Sequence, residues 1–169
     1  YIYYNQLAGN INSAYNKYET DYYYHSMAEA ADWLKDHIKN EDNDENIHVG
    51  LNFQADIYFP NNSENIDAFY LRYYTRGNYE WDYAIICNAY IHPYQLENNI
   101  WPPSNTIHSI KIDGKTICAV LKRNTKHDFI GYNLYNKEDY PSAIKSLNIA
   151  INNNFDNESA LINLAKSYS

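Results

Sequence analysis

Met27, Ala30, Ala31, Leu34 and Ile38 recur at three- and four-residue spacing, which predicts an amphipathic helix over 27–39. Ser26-Met27-Ala28-Glu29 reads as a capping box at its start. The Ser26 hydroxyl would accept from the Glu29 amide, and the Glu29 carboxylate would reach back to the Ser26 amide. The polar run 40–45 ends this helix as a solvated loop. The period then falls to two. Ile47-His48-Val49-Gly50-Leu51 alternates as a first strand, and Asn52 to Phe59 suits a short helix. Residues 68–74 predict a second, aromatic strand. Residues 82–87 are apolar on both faces, which marks a central strand. Residues 106–112 and 115–122 flank Asp113-Gly114, a pair suited to a type I′ hairpin because both positions need positive φ. Residues 1–24 carry no clean period and read as a short helix or irregular segment leading to a turn. The expectation is a small α/β or α+β layer domain over 1–123, with a mixed sheet of four or five strands and flanking helices.

Composition narrows the class. The 169 residues carry 13 Lys and Arg against 21 Asp and Glu, a net charge of −8. An acidic chain of this size argues against a nucleic-acid binder and against docking on anionic lipid through a basic patch. Mean hydropathy is −0.68, and no apolar run reaches the roughly 20 residues of a membrane-spanning helix. Twenty Tyr and 25 Asn stand out. With 45% hydrophobic and 17% aromatic residues the chain has the means to build a core. The Asn, Tyr, Ile and Lys bias fits AT-rich coding, and a tyrosine-rich surface also suits sugar binding.

Catalytic and metal motifs are weak. Cys87 and Cys118 lie within apolar strands and are expected to be buried free thiols, with a cross-strand disulfide as the alternative in an oxidising compartment. No CxxC pair or Cys/His spacing suits a metal, and the six His are scattered. No glycine-rich phosphate loop exists, so neither metal nor cofactor is expected. Glu19, Asp21 and Glu29 form an acidic group that would be solvent-exposed or, less simply, an acid/base pair. Asn61 and Asn157 begin Asn-x-Ser sequons, about what chance provides in so Asn-rich a chain. Trp101-Pro102-Pro103-Ser104-Asn105-Thr106 holds an extended backbone before a strand. Trp101 would plug the open end of the sheet or stack on a sugar.

Residues 124–169 change character. Gly131, Tyr140, Ala143, Leu147 and Ala150 stand at the offsets of a tetratricopeptide repeat. Gly131 takes the small position of the first helix, Ala143 and Ala150 those of the second, and Tyr140 the aromatic of the turn. Phe155 stands where the repeat usually has Pro. Ala160, Leu161, Leu164, Ala165 and Tyr168 begin a second copy, 34 residues on in register. This resemblance implies a helical hairpin plus a half repeat, packed on the α/β part, that recruits a protein partner or peptide.

The first 123 residues resemble a different family. Tyr3-Tyr4-Asn5-Gln6-Leu7-Ala8-Gly9, Ala14-Tyr15 and Tyr18-Glu19-Thr20-Asp21-Tyr22-Tyr23 are followed by Glu29-Ala30-Ala31-Asp32-Trp33-Leu34. Trp81-Asp82-Tyr83-Ala84-Ile85-Ile86 and Trp101-Pro102-Pro103-x-Asn105-Thr106-Ile107-His108 come next. The series resembles the stretch after the last membrane spans of multi-span, protein O-mannosyltransferase-like glycosyltransferases. Asn10, Ser13 and Asn16 stand where such proteins tend to carry Gly. The resemblance implies a soluble, extracytoplasmic (periplasmic) domain of a bacterial membrane enzyme that uses a polyprenyl-phosphate sugar, with its catalytic carboxylates elsewhere in the parent. Tyr18, Glu19, Asp21, Tyr22, Trp101, Asn105 and His108 are the binding residues it suggests, toward a glycan or polyprenyl-linked sugar. Tyr1 and Ser169 at the two ends fit an excised fragment.

Three functional expectations follow. The leading one is a non-catalytic accessory or binding domain of such a glycosyltransferase, with protein docking through the helical repeat. The alternatives are a free-standing repeat-containing interaction module and a small soluble hydrolase using Glu19, Asp21 or Asp82.

Overall fold

The computed structural model describes residues 11, 14, 15, 17, 18, 20, 21, 23–39, 46–60 and 65–169. Asp21, not Ser26, starts the helix α1 (His25–Lys39). Its carboxylate accepts from the amides of His25 at 3.1 Å and Ser26 at 2.7 Å. Two free N–H groups at a helix start are thus satisfied by one charged acceptor. The capping box expected at Ser26 and Glu29 is therefore absent, because Ser26 already lies inside the helix with its amide taken. Met27, Ala30, Ala31 and Leu34 form the buried stripe, each at most 1% exposed, and α1 packs across three strands of the sheet.

Those strands are β1 (Ile47–Leu51), β2 (Ile66–Tyr70), β3 (Tyr83–Cys87), β4 (Thr106–Ile112) and β5 (Lys115–Lys122). They form one mixed sheet in the order β2-β1-β3-β5-β4. β1 runs parallel to both β2 and β3, while β5 runs antiparallel to β3 and β4. All five residues of β3 are buried, as a strand apolar on both faces should be in the middle of a sheet. The β4–β5 hairpin turns at Asp113 (φ 46°) and Gly114 (φ 79°), the two positive values that a type I′ turn requires. Cys87 and Cys118 are register partners across β3 and β5 and are both free and buried.

The second strand departs from expectation. β2 stops at Tyr70, and Tyr73–Asn78 forms 3₁₀ turns kinked at Thr75. Tyr73 and Arg76 turn inward, 3% and 1% exposed, and their segment packs on the first and last of three helices that follow the sheet. These are α4 (His127–Asn136), α5 (Tyr140–Asn153) and α6 (Glu158–Ser167); the short helices α2 (Ala55–Tyr58) and α3 (Pro93–Glu97) precede them. Asp139 caps α5 by accepting from the Ser142 amide, and Asn157 caps α6 by accepting from the Ala160 amide. α4 and α5 pack against each other across a short turn. A Cβ on Gly131 would fall 2.5 Å from Leu147 Cγ, so α4 and α5 approach closely at this point. Ala143, Leu147, Ala150 and Ala160 are fully buried or nearly so, while Leu161, Ala165 and Tyr168 face outward and Tyr140 is half-exposed.

Charge joins these helices to the sheet. Arg123 donates through Nε at 3.2 Å and through Nη2 to Asp128 Oδ1. Its Nη1 reaches the carbonyls of Tyr79 and Trp81. Asp128 Oδ2 accepts from Asn157 Nδ2 at 3.1 Å. Arg76 lies over the Tyr73 ring, donates to the carbonyls of Tyr73 and Asp156, and pairs with Glu158 at 2.8 Å. Gln95 donates to the same carboxylate. Gly77 N donates to Ser159 Oγ at 2.9 Å, and Asn163 Nδ2 donates to Asn78 Oδ1 at 2.8 Å. Burial pulls the Arg123 guanidinium below its ordinary pKa, and Asp128 opposes that pull.

Two substitutions test this packing. Asp128→Asn leaves a buried guanidinium without its counter-charge and is expected to cost about 3–5 kcal/mol in urea unfolding. Gly50→Ala is expected to cost about 1–3 kcal/mol by the same measurement, because a Cβ there would lie 2.9 Å from Leu71 Cβ.

Candidate functional site: an aromatic cleft at the strand ends

The chain leaves β1 toward β2 on one side, then returns to lay β3 on the other. The carboxyl ends of β1 and β3 consequently feed loops that diverge, and in open parallel sheets such a reversal leaves a crevice where ligands bind. Asn52, the residue after β1, ties the two ends together. Its Nδ2 donates to the Cys87 carbonyl at 2.9 Å, and its Oδ1 accepts from the Cys87 amide at 2.9 Å. One residue after β3, Asn88 and Thr20 exchange hydrogen bonds at 3.0 and 3.1 Å, all buried. The loops that form the crevice are thereby pinned to the sheet at two points.

Two cavities open here. The first, of about 510 Å³, is walled by Phe53, Phe69, Tyr70 and Tyr90, with Asn52, Gln54 and Asp56 supplying polar atoms. The second, of about 480 Å³, is lined by Tyr15, Tyr18, Tyr24 and Tyr90, with Lys17, Thr20 and Asn88 as its polar groups. Both fall within the usual size of small-ligand sites. Tyr90 belongs to both and forms the ridge between them. Tyr24 stacks on Phe53 with ring centroids 3.8 Å apart and lies nearly parallel to Tyr90, its hydroxyl 3.0 Å from that of Tyr90. Tyr24 has φ 52°, a left-handed backbone that its carbonyl's bond from Tyr58 OH helps hold. Burial, with Asp21 nearby, raises the Tyr58 hydroxyl above its ordinary pKa.

The described residues of the cleft offer ring faces, amides and hydroxyls. Burial pushes the Cys87 thiol up to about 12 and raises the Cys118 thiol well above its ordinary value, so neither is a thiolate at neutral pH. Among the described residues no His, Cys, Asp and Glu cluster suits a metal.

The expected binding residues scatter. Tyr18 lines the second cavity and is 70% exposed. Asp21 is nearby but occupied as the helix cap. Glu19 and Tyr22 lie outside the described residues. Trp101 is 5% exposed; its indole donates to the Thr116 carbonyl at 3.1 Å and its ring meets Tyr73 edge-on. Asn105 donates to the Lys122 carbonyl at 2.9 Å. His108 stacks on Trp33, centroids 4.2 Å apart, with His37 on the other face of that indole. Burial holds His108 below its ordinary pKa, against the pull of Glu29. Asp82 accepts from the His48 amide and pairs with Lys126 before β3 begins, away from Asp21 near that strand's other end. Phe53, Tyr24, Tyr90 and the two asparagines were not singled out by the sequence. Their one readable signal is position: Asn52 and Asn88 each directly follow a buried strand.

No family model, curated protein or solved structure matches the chain. No described helix is long and apolar enough to cross a membrane.

Asn52→Ala removes both bonds to Cys87 and strands that residue's buried polar groups. The expected loss is about 1–3 kcal/mol in denaturant unfolding, with faster amide exchange at Cys87 and Asn88.

Proposed function

We propose that this chain is a non-catalytic binding module that takes a glycan in the aromatic cleft. The observation that carries the reading is Tyr90, exposed and shared by two cavities at the carboxyl ends of the parallel strands. A sugar ring presents C–H groups on its faces and hydroxyls at its rim. Ring faces paired with neutral amides and hydroxyls complement both, and two cavities either side of one ridge suit a chain of at least two sugar units. The role agrees with the accessory function implied by the resemblance to membrane glycosyltransferases, whose chemistry would reside elsewhere in a parent protein on the extracytoplasmic side. The helices α4 to α6, read as one and a half tetratricopeptide-like repeats, are then a protein-docking element. The outward Leu161 and Ala165 on α6, with the outward Tyr168 at its C-cap, favour that second role.

Isothermal titration against a panel of free oligosaccharides tests the glycan reading. At least one member is expected to bind, and Tyr90→Ala is expected to weaken it about three- to tenfold, as loss of one stacking ring should. The urea midpoint should stay unchanged, since Tyr90 is half-exposed. A panel with no binder would overturn the reading.

A further inference from the structure

The two cavities differ in charge. Asp56 is the one ionised group among the described residues that line the first cavity, and Lys17 holds that place in the second. Asp56 sits in the first turn of α2, is exposed, and has no hydrogen-bond or ion-pair partner among the described residues. It faces a space walled by Phe53, Phe69, Tyr70 and Tyr90, with no Lys, Arg or His among the described residues that line it. A cation entering that space would meet a free carboxylate and aromatic ring faces, both of which attract positive charge. An anion would meet repulsion from each. The surrounding chain, at −8 overall, biases encounter the same way.

From this geometry we infer that the ligand of the first cavity carries an ammonium group: the glycan is an amino sugar with a free, protonated amine, and Asp56 is the residue that selects it. The inference rests on the glycan reading of the cleft and adds the ligand's charge to it. Asp56 acts here as a specificity-determining contact. The aromatic walls supply the apolar contact common to acetylated and free forms, and the carboxylate distinguishes them. An N-acetyl group removes the charge and adds bulk at the same atom, so the two forms should differ in affinity for a reason that is local to Asp56.

The test uses the chitosan tetramer and its fully N-acetylated counterpart, titrated calorimetrically into the whole chain at mildly acid pH and low salt. There the amines of the chitosan tetramer are protonated. The free amine form is expected to bind about three- to tenfold more tightly, the range of an exposed ion pair joined to a cation–π contact. Asp56→Asn should erase that preference, bringing the two tetramers to equal affinity. Asp113→Asn, which removes the same charge from the exposed hairpin turn, should leave the preference intact. Equal binding of the two tetramers, or tighter binding of the acetylated one, would overturn the inference and leave the glycan reading standing. A preference that survives Asp56→Asn, or that Asp113→Asn reduces equally, would overturn it too, assigning the selectivity to net charge. If neither tetramer nor any other oligosaccharide binds, both readings fall.

Discussion

A guanidinium taken out of water needs a fixed counter-charge, and the junction between sheet and helices is built around that requirement. Arg123, leaving β5, and Arg76, in the 3₁₀ turns after β2, each lie against an aromatic ring, and each meets a carboxylate from the helical segment. Burying one partner without the other is strongly unfavourable. The helices therefore dock in one register or leave two charges stranded. Ordinary apolar contact would tolerate a slide; Asp128, held by Arg123 and by Asn157 at once, does not. The apolar cluster within the helices is small, Leu147, Ala150 and Ala160 with Ile151 and Leu164 beside them, so polar groups fix the position that the small cluster alone would leave loose.

The same economy of rigid contacts shapes the cleft. Its floor is a sheet whose central strand is wholly buried, and its two lips are fastened by Asn52 and by the Asn88–Thr20 pair. Ring faces are thus presented on loops whose bases do not move independently of the strands. Rigid presentation lowers the ordering cost of binding, and tyrosine suits such a lip because its ring packs while its hydroxyl stays wet.

Much of the fold was legible along the chain because its strongest signals are periodic. The Met27 to Leu34 stripe, the all-apolar β3 and the Asp113-Gly114 turn each follow from local rules, and each is present. The start of α1 was not legible as such. Ser26 and Glu29 match a capping pattern, but a carboxylate five residues upstream, Asp21, already holds the amide that Glu29 would take. The end of β2 was hidden for a different reason: Arg76 is drawn inward by groups about 80 residues away, Asp156 and Glu158, which no window on the sequence connects, while Tyr73 packs on Trp101. The cleft shares that fate. Tyr24, Phe53 and Tyr90 are three tyrosine-or-phenylalanine positions among many, and only strand order brings them together. Trp101, which looks like the most distinctive ligand contact by composition, is spent on the core.

Asn157 carries one last consequence. The triplet it begins is the acceptor signal for N-linked oligosaccharide, yet its amide nitrogen, the atom such attachment would use, donates to Asp128, while its carbonyl oxygen holds the first turn of α6. The residue is only 7% exposed. Once folded, the chain shields this signal completely, so a bulky modification there and the native arrangement of the last helix exclude one another. Were the polypeptide threaded through a secretory apparatus, the order of folding and modification would decide whether that helix ever docks.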